Sequence, residues 1–453
     1  MFKFFAWSTI GSLAIIVIQF GYSVVIARIV SPSDLGIAAI PLLIASIGRT
    51  IVDSGIGGAL VRDYRVTKIH YSTVLRFSIV TGLIITLLLC LFSKKVSDYF
   101  EEPRMLVALI FTASIIIVYS VQVPFNAFLV RSLKFRFRTF VLSLSAFFAA
   151  AISIYAATIA DNIIALMIYP LVNVIISTIM LLVYYGGIIK IKKYSSEILK
   201  KYLLFGVNTT ISSFLISLVD WSIQSFSYKY FGATVLGNYA QAKKTSDLQL
   251  NLAKGNISNV LYSIISKEKE EIISRENTDF CLGIFLFYTM VITIVLFFSE
   301  LLIRTIFGEK WLGMVPFFDI LLISSLILFV DSMIRMVYKI VDRTKLLLLN
   351  EIIKVIFLLS LLAIGLSLSL DLSAILWLLM IGWIFSFLIS VYFVKKWMTG
   401  NLYDLMVVLV PVISLGLIIY FSLSSYFIIL FLVVILILGT ANKFFKVLYN
   451  NLF

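Results

Sequence analysis

Charged side chains inside long apolar stretches are the residues of this sequence whose types and spacing could do chemistry. An ionised group in hydrocarbon costs several kcal/mol, so such residues are rarely kept without a partner or a function. In a polar cavity, lysine and arginine would attract an anion such as phosphate, arginine through paired hydrogen bonds and lysine as a point charge. The cations in these positions are Arg49, Arg76, Lys243, Lys244, Lys254, Arg335 and Lys354.

The spacing of these charges places several of them on shared helix faces. Arg49 and Asp53 stand four residues apart. A second stripe of polar residues follows residue 240 and consists of Lys243, Asp247, Asn251, Lys254 and Ser258. That stretch carries more lysines than carboxylates, which predicts uncompensated positive charge. We therefore predict a cationic substrate cavity lined by Arg49, Lys243, Lys244, Lys254 and Asn251.

Other polar residues in apolar stretches have both a functional and a structural interpretation. Two acid–base pairs, Asp331 with Arg335 and Glu351 with Lys354, have the spacing of self-neutralised bridges. Tyr22 and Trp221 could stack against sugar rings, although aromatic residues in such stretches more often pack or lie at an interface. The carboxylates that could bind a coupling proton or Na⁺ are Asp53, Asp220 and Asp247.

Enzymatic chemistry has little support in this sequence. His70 is the single histidine, and Cys90 and Cys281 are isolated, so no zinc-ligand set or disulfide framework is predicted. No serine-hydrolase, phosphate-loop or metalloprotease motif is present. We predict no catalytic residues, no metal and no cofactor.

The elements that must position these charges are membrane helices. Of 453 residues, 61% are hydrophobic and only 13% are charged, with a mean hydropathy of +1.09. Continuous apolar runs of this length exclude both a soluble globule and a β-barrel. The pattern predicts an all-α polytopic membrane protein of about 14 transmembrane helices, the last two at 404–422 and 425–446.

The basic residues predict the orientation of these helices. The net charge is +14, and most Lys and Arg residues outside the spans fall in alternate loops, including "KIKKYSSEILKK" at 190–201. Cations are retained on the cytoplasmic side, so both termini are predicted to be cytoplasmic. Scattered loop clusters of this kind contact membrane lipids rather than nucleic acid.

A weak internal repeat predicts two halves. Leu35-Gly36 and Leu236-Gly237 each open an apolar helix after a long apolar helix that ends in a cation. The predicted units are an N-terminal six-helix lobe at 1–188, a cytoplasmic linker at 189–200, a C-terminal six-helix lobe at 201–396 and an extra helix pair at 397–453. Two lobes in the same orientation could enclose a central cationic cavity.

Four segments resemble the bacterial polysaccharide repeat-unit flippases of the multidrug/oligosaccharidyl-lipid/polysaccharide transporter superfamily. They are "ARIVSPSDLGIAAI", "VDSGIGGALVRD", "YKYFGATVLGNYAQA" and "IFGEKWLGMVPFFDIL". The resemblance implies two six-helix lobes around a cavity, in the bacterial cytoplasmic membrane. It also implies a substrate in which an oligosaccharide is linked through pyrophosphate to undecaprenol.

This resemblance predicts a lipid-linked oligosaccharide flippase that works by alternating access as a monomer. Its candidate protein partners are other polysaccharide-assembly membrane proteins. The main alternative is a multidrug or small-cation exporter of the same superfamily. A cation exporter is expected to have net negative charge in its cavity, whereas Asp53 and Asp247 are accompanied by at least as many cations. A polytopic polysaccharide polymerase is a weaker alternative, because the longest predicted loops are only about 14 residues.

Overall fold

The computed structural model describes residues 2–63, 65–185, 194–265, 275–340 and 344–394, and these ranges are all-helical. A 3-10 helix at Glu309–Met314 precedes α11. The predicted spans at 404–422 and 425–446 lie outside the described residues. The helices are α1 (Phe2–Ile29), α2 (Pro32–Asp53), α3 (Ile56–Arg62), α4 (Lys68–Tyr99), α5 (Arg104–Arg131), α6 (Phe135–Ile159), α7 (Asn162–Tyr185), α8 (Ser196–Ile265), α9 (Arg275–Phe297), α10 (Ser299–Ile306), α11 (Val315–Ile340), α12 (Thr344–Ser367) and α13 (Leu372–Val394).

Eight helices in the described ranges are long and apolar enough to cross a membrane. A ninth candidate is the pair α9 and α10, which is bent by 68° at the break between them. Side chains facing outward on these helices are large and apolar, as contact with lipid requires. The protein is thus a multi-pass helical membrane protein, and the total of about 14 spans stays a prediction.

The contacts between residues group the chain into two units, Met1–Ala240 and Gln241–Phe453. In the first unit, α4 packs on α5, α6 on both α1 and α7, and α2 on α5. Small buried residues on α6, such as Ala146, Ala149 and Ser153, allow these backbones to approach closely. In the second unit, α13 packs on both α11 and α12, and Asn350 donates a hydrogen bond to Ser390 at 2.7 Å.

The segment labelled α8 consists of two consecutive helices that are separated by a break in the helical backbone at Gly232. Gly232 has φ 85° and ψ 170°, a backbone conformation that glycine adopts and other residues rarely do. The break lies in the connection predicted between spans at 201–229 and 234–265. The first part of α8 belongs to the unit that ends at Ala240, whereas the lobe boundary was predicted at the linker 189–200. The lobe limits stay a prediction.

The start of α2 crosses α8 just after this break. A Cβ on Gly36 would overlap the carbonyl oxygen of Ala233, and a Cβ on Gly237 would overlap the carbonyl oxygen of Pro32. Only glycine at both positions permits this approach of two backbones. The Leu35-Gly36 and Leu236-Gly237 copies of the predicted repeat therefore meet each other directly.

Candidate functional site

The end of α2 is shaped by a break in its backbone. Ser54 and Gly55 adopt the left-handed conformation with φ of 43° and 65°, and the chain resumes as α3 at Ile56. The backbone N–H groups of Gly55 and Gly57 lie near the Asp53 carboxylate and stabilise its negative charge. Asp53 is thus turned toward the start of α3, where unpaired N–H groups stabilise a negative charge.

Arg49 lies one turn before this break and does not pair with Asp53. Its Nε donates a long hydrogen bond of 3.4 Å to the carbonyl oxygen of Ala45. The guanidinium carbon lies 5.9 Å from the ring centroid of Tyr119 on α5. Among the described residues, no carboxylate oxygen lies within the 4 Å of an ion pair, so Arg49 is a half-buried cation without an anionic partner.

A cavity of about 490 Å³ opens beside Arg49. This volume falls within the range of small-ligand sites, about 300–1,000 Å³. The side chains around it are almost all hydrogen-bonding groups, which suits a polar ligand. Its lining consists of Ser46, Arg49, Thr50, Asp53, Gly55, Tyr119, Thr210 and Ser213.

A second arginine lies near Tyr119, which lines this cavity. Arg138, on α6, interacts electrostatically with Tyr119, as Arg49 does. Its Nε is buried and has no hydrogen-bond partner in the described part of the chain. With Asp53 stabilised by backbone N–H groups, the two arginines make the surroundings of the cavity net positive. Such a site attracts an anion.

The cavity wall is completed by a close contact between α2 and the first part of α8. A Cβ on Gly55 would lie 2.8 Å from the Gly206 Cα and 3.0 Å from the Thr210 hydroxyl. A Cβ on Gly206 would lie 2.5 Å from the Ser54 carbonyl oxygen. Together with the Gly36–Gly237 crossing, this contact means that α2 touches α8 at both of its ends, with the Arg49 cavity between them.

Comparison with known sequences places the chain in a family. The profile described as "Polysaccharide biosynthesis protein" matches residues 25–316, well over half of the sequence. The chain belongs to the polysaccharide biosynthesis protein family. All of the residues that line the Arg49 cavity fall inside the matched region.

Three curated relatives are similar to this polysaccharide biosynthesis protein. They are an uncharacterized membrane protein in the cps region of Klebsiella pneumoniae (23% identical, over 70% of this chain and 67% of the relative), the teichuronic acid biosynthesis protein TuaB of Bacillus subtilis (22%, 71% and 67%) and the lipopolysaccharide biosynthesis protein WzxC of Escherichia coli (23%, 71% and 66%). The names of TuaB and WzxC refer to different polymers.

Two solved structures share the fold of this family member. The lipid II flippase MurJ in an inward closed conformation has a TM-score of 0.71 at 18% identity, covering 98% of this chain and 99% of MurJ. An inward-facing multidrug resistance transporter of the MATE family has a TM-score of 0.64 at 12% identity, covering 89% and 98%. These similarities are to transporters rather than to enzymes.

Four other residues predicted to line the cavity lie in the second unit, and their environments differ. They are Lys243, Lys244, Asn251 and Lys254. Lys243 forms an ion pair with Asp247 at 3.6 Å. Lys244 and Asn251 are exposed. The side chain of Lys254 lies outside the described ones. The predicted stripe on α8 is therefore partly self-neutralised.

The two aromatic candidates lie in different environments. Tyr22 is buried between α1, α6 and α7, where its hydroxyl bonds to that of Ser153 at 2.9 Å and its ring stacks on Tyr169 at 4.1 Å. The structure thus gives Tyr22 a packing position rather than a place in the cavity lining. Trp221 is partly exposed, and Asp220 beside it is partly buried.

The charges predicted on α11 and α12 form one buried network. Lys354 donates to Asp331 at 2.8 Å, and Arg335 lies 3.3 Å from Asp331 and 3.5 Å from Glu351. Lys354 and Glu351 are 3.9 Å apart. The two acids and two bases balance, so this network neutralises its own charge. Its shortest contact, between Lys354 and Asp331, joins α12 to α11.

A further polar cluster ties the start of α8 to the loop after α3. The Asp63 carboxylate accepts hydrogen bonds from Lys201 at 2.8 Å and Tyr202 at 3.1 Å. Arg131, at the end of α5, donates to the carbonyl oxygens of Leu60, Val61 and Asp63. The Lys201 ammonium lowers the pKa of Asp63 to about 2, so this carboxylate is ionised at neutral pH.

Sequence reasoning predicted Arg49 and Asp53 and missed the rest of the site, which consists of Ser46, Thr50, Gly55, Tyr119, Thr210, Ser213 and the nearby Arg138. Arg138 was grouped with the loop cations at the start of a span, and Tyr119 had no charge to mark it. Thr210 and Ser213 are common in membrane helices, where their hydroxyls return to backbone carbonyls. The available signal was position, because Arg138 stands four residues inside the basic run that begins at Lys134.

Proposed function

We propose that this protein translocates undecaprenyl-pyrophosphate-linked oligosaccharide repeat units across the bacterial cytoplasmic membrane, with both termini in the cytoplasm. The observation that carries the proposal is Arg49, a half-buried cation without a carboxylate partner in the described structure. A pyrophosphate is the anion that the substrate would bring to it. Family membership and the names of the relatives support a role in polysaccharide assembly.

The division of labour follows from the chemistry of such a substrate. The prenyl chain stays in lipid, whereas the sugars and pyrophosphate need a polar path. The hydroxyls of Ser46, Thr50, Thr210 and Ser213 would hydrogen-bond to sugars and phosphate oxygens. Arg49 would hold the phosphate by its planar fork, which a lysine lacks. Oligosaccharide composition would be selected by cavity shape and hydrogen bonds.

Alternating access would use the two contacts between α2 and α8. Opening the Gly55–Gly206 end would connect the cavity to one side, and opening the Gly36–Gly237 end would connect it to the other. Such glycine contacts are suited to reversible closure, since they seal backbone against backbone without large side chains. Coupling to a proton or Na⁺ would involve Asp53, Asp220 or Asp247, and no other cofactor is proposed.

A second candidate function is export of drugs or small cations. The observation that favours it is the shared fold with a multidrug transporter, together with a carboxylate, Asp53, at the cavity. Asp53 is already stabilised by two backbone N–H groups, while Arg49 and Arg138 repel a cation. The flippase therefore fits the charges better. A polymerase is the least favoured, because the longest predicted loops, about 14 residues, are too short to form a catalytic domain.

The test is the double variant Arg49→Ala with Asp53→Ala, assayed for flipping of lipid-linked oligosaccharide in vesicles. If Arg49 binds phosphate, removing Asp53 as well does not restore transport. A counter-ion to Asp53 would behave differently, because removal of both charges leaves none unpaired in the membrane. Arg65→Ala, at an exposed arginine outside the cavity, is the control. Active double-variant protein would refute the substrate role.

A further inference from the structure

A separate cleft lies at the turn between α5 and α6. It measures about 380 Å³ and is lined by Lys134, Arg136, Phe137 and Phe140. None of these residues lines the Arg49 cavity. One part of the cleft is cationic and the other is aromatic, a combination that suits a ligand with an anionic part and an apolar part.

The cationic part is held in place by aromatic rings. The Lys134 ammonium lies 4.7 Å from the ring centroid of Tyr185 and 5.3 Å from that of Phe128. In the described part of the chain its contacts are thus rings rather than a carboxylate. Ring contacts orient a cation without neutralising it. Arg136 is exposed beside it, so two positive charges face the same opening.

The helices around the cleft supply no negative charge. No Asp or Glu occurs anywhere in α5, α6 or α7. In addition, α6 starts at Phe135 without a side-chain cap, so its first N–H groups add positive polarity. These surroundings favour an anion as the ligand.

The apolar part of the cleft leads onto a lipid-facing surface. Phe140 is 53% exposed, and the exposed side chains of Phe147, Ile152, Tyr155 and Ile159 continue along the same helix. Phe137 packs edge-on against Tyr184 and Tyr185, which fixes the wall between the two parts. A ligand that spans both parts must join an anionic head to an apolar chain.

We propose that this cleft binds an anionic phospholipid of the membrane. Its phosphate contacts Lys134 and Arg136, and an acyl chain lies along Phe140 and the exposed face of α6. The cations belong to a loop that the charge distribution predicts to be cytoplasmic, the leaflet where anionic headgroups attract basic residues. The site is distinct from the Arg49 cavity and does not depend on the proposed transport function.

The experiment compares lipid binding by purified full-length protein, measured by native mass spectrometry during titration with phosphatidylglycerol or phosphatidylcholine. The variant Lys134→Gln with Arg136→Gln should raise the half-saturating phosphatidylglycerol concentration by about tenfold or more, because two headgroup contacts are lost. The matched control is Arg65→Gln with Lys68→Gln, which removes one exposed Arg and one exposed Lys elsewhere. This control should bind like the unchanged protein.

Two further arms identify the source of the phosphate and test folding. The swap Lys134→Arg with Arg136→Lys keeps both charges and should retain phosphatidylglycerol binding, which shows that the site tolerates substitution. Inorganic phosphate should not displace the lipid, because it cannot use Phe140. Equal binding by the Gln variant, equal loss in the control, equal binding of phosphatidylcholine or displacement by inorganic phosphate would each overturn the proposal.

Discussion

At the scale of single residues, the local backbone decides how Arg49 and Asp53 are used. Four-residue spacing on a helix normally favours an ion pair. Here Ser54 and Gly55 leave the helical conformation, and the freed N–H groups of Gly55 and Gly57 stabilise the Asp53 carboxylate instead. Arg49 is left facing the cavity with Tyr119.

Replacing Arg49 with lysine separates phosphate recognition from simple charge. Arg49→Lys keeps the positive charge but loses the paired hydrogen bonds of the guanidinium. We expect oligosaccharide flipping in vesicles to fall by roughly tenfold or more, since hydrogen bonds to a charged group contribute about 1.5–3 kcal/mol. Full activity with lysine would mean that the site requires only a cation.

In the network on α11 and α12, unlike at Arg49, each charged side chain is paired with one of opposite sign. Lys354→Met leaves Asp331 and Glu351 sharing one cation, and we expect a loss of about 3–5 kcal/mol in stability. Adding Asp331→Leu removes an acid as well and should recover much of that loss. Thermal unfolding in detergent measures both effects. A double variant less stable than the single one would show that the network is not governed by charge balance.

At the scale of elements, the contact between α2 and α8 is the feature on which movement would depend. Gly36 and Gly237 cross at one end, and Gly55 and Gly206 meet at the other. The repeat predicted from Leu35-Gly36 and Leu236-Gly237 identified equivalent positions, but sequence alone did not indicate that the two copies touch. Such contacts between distant segments depend on how the helices pack.

A methyl group at the first crossing should prevent its closure. We expect Gly36→Ala to reduce flipping by about tenfold, because the Cβ overlaps the Ala233 carbonyl and even small overpacking costs about 1–3 kcal/mol. Gly21→Ala on α1 is the matched control, since its Cβ would meet nothing within 4 Å. Equal activity in the two variants would exclude the crossing from the transport cycle.

The Asp63 cluster should make the attachment of α8 dependent on acid. Hydrogen bonding to Lys201 lowers the Asp63 pKa to about 2, below the ordinary value of about 3.9. The carboxylate therefore stabilises the fold above that ordinary value, and this contribution is lost as the pH falls through about 2. Asp63→Asn should cost about 1 kcal/mol at pH 7, and its unfolding temperature should approach that of the unchanged protein below pH 4. A difference that stays constant down to pH 2.5 would contradict this.

The sequence predicted elements better than it predicted the site, for physical reasons. Apolar length was enough to predict membrane helices, because it is a local property of the chain. The surroundings of Arg49 could not be predicted, since they depend on how α2 ends and on the position of Tyr119 on another helix. Arg138 was misleading because a cation at the end of a span usually marks topology.

At the scale of the whole molecule, family, fold and charge point to one kind of substrate. The chain belongs to the polysaccharide biosynthesis protein family and shares its fold with a lipid II flippase. Two relatives, TuaB and WzxC, are named for different polymers. Under the function proposed above, this protein requires the lipid-linked anion rather than one sugar. In our proposal the Arg49 cavity meets that requirement.

Binding of undecaprenyl pyrophosphate to the purified protein tests this account most directly. Titration should show saturable binding to the unchanged protein, with affinity reduced by about tenfold or more in Arg49→Ala, since a charge-assisted contact is lost. Uncharged undecaprenol should bind equally weakly to both proteins. Equal affinity of the two proteins for undecaprenyl pyrophosphate, or equal binding of undecaprenol and its pyrophosphate, would contradict the claim that Arg49 recognises the substrate's phosphate.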